Sequence, residues 1–146
     1  TGLLNYELNI QASMLSLADM NESYKGAIVP HLITQEIISL NVSKYICPNF
    51  WVRDKKQSSA EVDLVVPFND ILIPIEIKSG KEGKLKSLHQ FIEAVDHPYA
   101  VRMYAGEFKV EEHVTPIQKK PYFLMNLPYY MGTMLNEYIH YFTENY

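Results

Sequence analysis

One cysteine, Cys47, stands among the 146 residues. It excludes an internal disulfide and any cysteine-rich zinc site, and with no charged and apolar leader at the start it points to a reducing cytoplasm. No apolar run approaches the roughly 20 residues needed to cross a bilayer, so a soluble chain without membrane contact is expected. The 6 glycines and 8 prolines are scattered, which leaves no low-complexity linker, and no repeat is visible. One domain spanning residues 1–146 follows. Basic residues are outnumbered, 13 against 17, for a net charge of -4. The whole-molecule field therefore does not gather nucleic acid, and any polyanion needs a local basic patch. The five histidines show no His-Glu-x-x-His spacing, and no Gly-x-Ser-x-Gly elbow occurs. Gly80-Lys81-Glu82-Gly83-Lys84 fails as a phosphate loop, because the glycines are too close and no Ser or Thr follows the lysine.

What is present is an ordinary folding composition, 47% apolar and 21% charged. The chain opens at Thr1 and reads as a piece of a longer protein. Thr1 to Met20 suggests one or two short helices. Val29, Leu32, Ile33, Ile37 and Leu40 recur at helical spacing within Tyr24 to Leu40, with Pro30 tolerable near a helix start. Phe50 to Arg53 predicts a short strand, followed by a polar turn from Asp54 to Ser59. Ala60 to Phe68 and Ile71 to Lys78 are β-branched runs separated by the turn formers Asn69-Asp70, a hairpin. Lys84 to Val95 returns to helical spacing. Tyr99 to Tyr104, Phe108 to Val114 and Tyr122 to Leu127 read as strands, and Tyr130 to Phe142 as a closing helix. A helix between the third and fourth strands implies a crossover, hence an α/β mixed sheet flanked by helices.

Three acids break this pattern. Glu36 falls in the middle of the apolar stripe of its helix, and a carboxylate aimed at a core costs several kcal/mol, about the price of an unpaired buried charge, unless it is paired, protonated or metal-bound. In the hairpin, a two-residue loop pairs Phe68 with Ile71, and continuing that register sets Asp63 opposite Glu76 and Glu61 opposite Lys78, all four on one face. Val62, Leu64, Val66, Ile71, Ile73, Ile75 and Ile77 then form the core face. Facing carboxylates repel unless a cation lies between them. Asp63, Glu76, the Ile77 carbonyl and retained waters form a donor set suited to Mg²⁺ or Mn²⁺. Lys78 beside it is placed to neutralise charge on a phosphate or to orient and deprotonate water. Pro74, inside the strand, marks an edge or a bulge that shifts this register.

A helix with an acid (Glu36), a hairpin carrying Asp63, then Glu76-x-Lys78 and a further helix resembles the PD-(D/E)xK, or restriction-endonuclease-like, superfamily. Twelve residues separate Asp63 from Glu76. More closely, Tyr24-Lys25-Gly26-Ala27-Ile28 to Gln35-Glu36, Glu61-Val62-Asp63 and Ile75-Glu76-Ile77-Lys78-Ser79-Gly80 resemble an uncharacterised domain found C-terminal to AAA-type ATPase modules in prokaryotic proteins. The resemblance implies a restriction-endonuclease-like α-β-β-β-α-β core. It implies metal binding and phosphodiester hydrolysis at Glu36, Asp63, Glu76 and Lys78, and an N-terminal ATPase module as partner. Val62 stands where the superfamily name has proline, and a Gln-x-x-x-Tyr motif would start at Gln90 but meets Ala94.

Lys81, Lys84 and Lys86 surround the proposed site, and Arg53, Lys55 and Lys56 form a second basic cluster, so both are candidates for phosphate contact or plain solvated surface. Gln90 is a candidate to approach the site from its helix, or to pack on the core side. The leading expectation is a divalent-metal-dependent nuclease. The alternatives are a noncatalytic interaction domain attached to the ATPase, and a metal-free ion-pair cluster of Glu36, Asp63, Glu76 and Lys78.

Overall fold

The computed structural model describes residues 22–39, 49–55, 58–80 and 84–146. The short helices expected before Met20 lie outside these residues, as do Leu40, Lys56 and Lys81. The elements run α1 (Glu22–Ser39), β1 (Asn49–Lys55), β2 (Ser58–Phe68), β3 (Ile71–Ile77), α2 (Lys86–Ile92), β4 (Tyr99–Tyr104), β5 (Lys109–Val114), β6 (Pro121–Pro128), a 3-10 helix (Tyr129–Met134) and α3 (Leu135–Asn145). The six strands form one sheet in the order β1-β2-β3-β4-β6-β5. β3, β4 and β6 are parallel neighbours, and the other pairs are antiparallel. This is the expected mixed α/β sheet, with α2 as the crossover from β3 to β4. Among the described residues no helix is long and apolar enough to cross a membrane.

Helices cover both faces because the strands bury both. On one face Ile33 of α1 and Leu135, Ile139 and Phe142 of α3 pack on Ile73, Ile75, Ile77, Val101, Met103, Met125 and Leu127. On the other, Leu88, Phe91 and Ile92 of α2 pack on Val62, Val65, Ala100, Tyr122 and Leu124. Each fully buried aliphatic side chain in these layers contributes roughly 1.5–3 kcal/mol.

The hairpin turns at Asn69, whose φ of 51° is the left-handed backbone that asparagine tolerates. Its register is the expected one from Phe68↔Ile71 to Leu64↔Ile75. Beyond Leu64 it changes. Between Asn49↔Val65 and Trp51↔Val62, β1 advances two residues while β2 advances three, so β2 carries an extra residue. Val62 and Val65 consequently share the α2 face despite their odd separation. Val62 therefore leaves the face to which strict alternation assigned it; Glu61 pairs with Val52 of β1, and on the other side the β2/β3 ladder ends at Leu64↔Ile75, short of a Glu61–Lys78 pair.

Pro74 is buried in an interior strand, not at an edge. The amides of Ile77 and Lys78 point to β2 and β4 respectively. By alternation the missing Pro74 amide lies on the β4 side, where pairing starts only at Ile75↔Val101. No ladder bond is lost.

Helix α1 starts earlier than its periodicity suggested, so Pro30 is internal and forfeits the bond to the Gly26 carbonyl. Among its described side chains Ile28 and Ile33 are buried, while Leu32 is exposed. Glu36 is exposed as well, which corrects its placement at the centre of the buried stripe.

Candidate metal centre at Asp63 and Glu76

Glu76 occupies the last turn of alternation in β3, between Ile75 and Ile77. Those two isoleucines belong to the α1/α3 core, so Glu76 points to the α2 face. It is only 6% exposed. One carboxylate oxygen, Oε1, accepts from the Lys78 ammonium. The other, Oε2, is buried with no hydrogen-bond partner among the described residues. An ionised oxygen left in that state is costly, and native structures rarely tolerate it without a reason.

Asp63 comes from the irregular part of β2. Its Oδ2 accepts the Ile77 backbone amide at 2.7 Å, so a side chain replaces the backbone partner where the β2/β3 ladder ends. The β2/β3 ladder ends at Leu64↔Ile75, one pair before the expected Asp63–Glu76 opposition, and Asp63 is held there by the Ile77 amide, next to Glu76 in sequence. The two remain electrostatic neighbours. Burial pushes the Asp63 carboxyl above the ordinary carboxylate range, against the Ile77 amide and the Lys78 charge, with the Glu61 charge adding to the rise. Burial also raises Glu76, where the Lys78 hydrogen bond opposes and the charges of Asp63 and Glu61 reinforce the shift. Protonation, or a cation, relieves this arrangement.

The structure brings together Asp63, Glu76, Ile77 and Lys78, with exposed Glu61 nearby. It does not bring Glu36 to them. Glu36 Oε2 lies 3.3 Å from where a Cβ on Gly132 would stand, next to Met103 Cε and near Ile33. It thus occupies the α1 face of the sheet, whereas Glu76 faces α2, and neither Asp63 nor Glu76 has Glu36 among the charges that shift it. Among the described residues no group of three or more His, Cys, Asp or Glu side chains converges.

A divalent cation nonetheless fits what is present. The open Glu76 Oε2, the oxygen of Asp63 not bonded to Ile77 and main-chain carbonyls supply hard oxygen donors, and Mg²⁺ characteristically takes one or two carboxylates and keeps several waters.

Of the basic candidates, Arg53 donates from Nη1 to Gln90 Oε1 at 2.9 Å. Gln90 is buried on α2, and the two line a groove of about 400 Å³ with Trp51, Glu93 and Gln118. They are joined to each other, and among the described residues no hydrogen bond links either of them to Glu76. Lys84 and Lys86 are exposed near the start of α2. Lys56 and Lys81 lie outside the described residues, as does the side chain of Lys55.

Three residues that the sequence reading did not single out continue from Glu76 across the sheet. Arg102 pairs laterally with Glu76, Asn126 with Arg102, and Lys109 with Asn126. Arg102 and Asn126 interrupt apolar strands, a visible signal. Their alignment depends on β6 inserting between β4 and β5, which no local pattern announces.

No curated protein matches the chain. Residues 25–120, more than half of it, match the family DUF4143, described as a domain of unknown function. The match includes Glu36, Asp63, Glu76, Lys78 and Arg102, and the chain belongs to the DUF4143 family.

Proposed function

We propose that this chain is a divalent-metal-dependent nuclease-like domain acting on phosphodiester bonds in nucleic acid. Support comes from the PD-(D/E)xK resemblance of the Asp63, Glu76-x-Lys78 pattern and from the order of helix, three strands, helix and strand. The observation that carries the reading is Glu76 Oε2: a buried carboxylate oxygen without a partner, beside a second carboxylate and an ammonium. Asp63, Glu76 and the Ile77 carbonyl would hold Mg²⁺ or Mn²⁺. When bound, the cation supplies positive charge that polarises phosphate and lowers the pKa of water.

The remaining work falls to the chain. Asp63 is fixed by the Ile77 amide, and Glu76 by the rigid interior strand and by Lys78. Lys78, half-buried at the end of β3, is placed to stabilise negative charge growing on the phosphoryl oxygens. As water adds to phosphorus the ester P–O bond breaks; the proton released by water passes to solvent, and the leaving alkoxide takes a proton from solvent to depart as the alcohol.

A second reading is a noncatalytic module that docks on an ATPase module in the same protein. The position of Glu36 on the opposite face of the sheet favours it, because one acid of the resemblance is then missing from the pair. Two measurements separate the readings. Mn²⁺ should raise the melting temperature of the wild type and not of Asp63→Ala. Single- and double-stranded DNA and RNA should be cleaved with Mg²⁺ by the wild type and not by Lys78→Ala. Metal stabilisation without cleavage of any of these substrates, or no stabilisation at all, would favour the docking module.

A further inference from the structure

The carboxylate pair is one end of a longer polar row. Glu76↔Arg102, Arg102↔Asn126 and Asn126↔Lys109 are consecutive lateral partners on β3, β4, β6 and β5. Lateral partners project to the same face. Arg102 lies between Val101 and Met103, and Asn126 between Met125 and Leu127, all four in the α1/α3 core, so the row faces the α2 side as Glu76 does. Strands about 4.8 Å apart make it roughly 14 Å from Glu76 to Lys109. Helix α2 packs on Ala100 and Leu124, two residues before Arg102 and Asn126, and on Tyr122, so it stops short of the row, which sits at the C-terminal ends of the three parallel strands. In open α/β sheets that end is where ligands bind.

Arg102 is built into this row rather than left to solvent. Its Nε donates to Asn126 Oδ1 at 2.7 Å, and its guanidinium carbon stands 4.7 Å from the centre of the Tyr104 ring. Asn126 is fully buried and donates from Nδ2 to Glu111 Oε2 at 2.7 Å, which fixes the direction of its oxygen. Lys109 is paired with Glu111. Arg102 has no carboxylate partner among the described residues. It stands beside Glu76 as a strand partner but forms no ion pair with it, although Glu76 Oε2 is itself unpartnered among the described residues. Its Nε and one face of its guanidinium plane are occupied, and its terminal nitrogens make no hydrogen bond with any described residue. A planar, preoriented fork of N–H donors with no internal acid suits a tetrahedral oxyanion.

Resting on the nuclease reading for the site it serves, we infer that Arg102 is a phosphate-binding residue. It takes a phosphodiester of a nucleic-acid strand laid across the ends of β3, β4 and β6, one strand away from the carboxylate pair. Asn126 is its positioning residue. Lys109, at the far end of the row, meets a more distant phosphate of the same strand.

The test is binding of a short fluorescent single-stranded DNA over a salt series, with Ca²⁺ and again in EDTA, by the wild type, Arg102→Gln, Arg102→Lys and Lys119→Gln. Arg102→Gln should weaken binding about tenfold and flatten the salt slope by about 0.7, the loss of one phosphate contact. Arg102→Lys, which keeps the charge without the fork, should weaken binding with the slope retained. Lys119→Gln removes an exposed cation outside the row and should change nothing. Unaltered affinity and slope in Arg102→Gln overturn the proposal, as does an equal loss in Lys119→Gln or a wild type that does not bind. Should Arg102→Gln lose its fold, as read by its melting temperature, Arg102→Lys decides alone. A thermal shift with Mn²⁺ on the same proteins tests the carboxylate pair separately. No Mn²⁺ shift together with a clear Arg102 effect leaves the phosphate contact standing and removes the metal reading.

Discussion

Asp63 Oδ2 receives the Ile77 amide at 2.7 Å across the point where the β2/β3 ladder stops. The extra residue in β2 frees that amide from backbone pairing and lets a carboxylate take it. One hydrogen bond therefore both closes the sheet and holds an acid beside Glu76, against their mutual repulsion.

Asp63→Asn should relieve that repulsion while retaining an acceptor for Ile77. Without metal at pH 7 the variant is expected to melt a few degrees above the wild type, from a gain on the order of 1 kcal/mol. Both acids have raised pKa values in the folded state. Their contribution to stability is complete below the ordinary carboxylate range, near 4, and is lost as pH rises through the raised values. The advantage of the variant should therefore vanish at low pH. Thermal melts in EDTA across that range check it, and a less stable variant at pH 7 contradicts it. Mn²⁺ should stabilise the wild type alone.

His97 titrates in the opposite sense. The Tyr99 amide donates to its Nδ1 at 3.2 Å, and its Nε2 lies 2.8 Å from the Leu72 carbonyl oxygen. Both contacts are satisfied only by the neutral ring with hydrogen on Nε2. Burial lowers its pKa, so the stability it contributes is present above the ordinary histidine value of about 6.5 and is lost as pH falls through the lower folded value. His97→Gln should cost about 1 kcal/mol at neutral pH and flatten the stability profile below it, as measured by urea unfolding.

Gly106 packs against Tyr104 so closely that an added Cβ would lie 2.2 Å from the ring. The ring cannot simply yield, because Tyr104 is buried and its hydroxyl donates to the Glu107 carbonyl at 2.7 Å. Gly106→Ala should cost about 1–3 kcal/mol. In a Tyr104→Ala background the same change should cost much less, a coupling that a double-mutant cycle in urea reads directly.

Helix α2 is tied down at its C-terminal end by Lys120, whose ammonium donates to the carbonyls of Ile92 and Val95. Glu93 answers by accepting the Gln118 and Ile117 amides. Lys120→Met should expose unsatisfied helix carbonyls at a cost of about 1–3 kcal/mol. Hydrogen exchange should rise first in α2.

The strand Tyr99–Tyr104 and the hairpin turn were legible because alternation and turn chemistry are local. The same logic singled out Asp63 and Glu76, since acids within β-branched runs stand out, with Lys78 beside them. It failed where one residue more or less decided a face. Val62 crossed to the α2 side because β2 is irregular against β1, and Glu36 turned outward because α1 buries Ile28 and Ile33 instead of centring on it.

Period and composition are properties of neighbouring residues, and they were enough for an α/β sheet with an acid near the end of its third strand. Which carboxylates meet, and which arginine stands beside them, depends on strand order and register. Those are set by packing between segments far apart in the chain, where a shift of one position reverses the direction of every side chain.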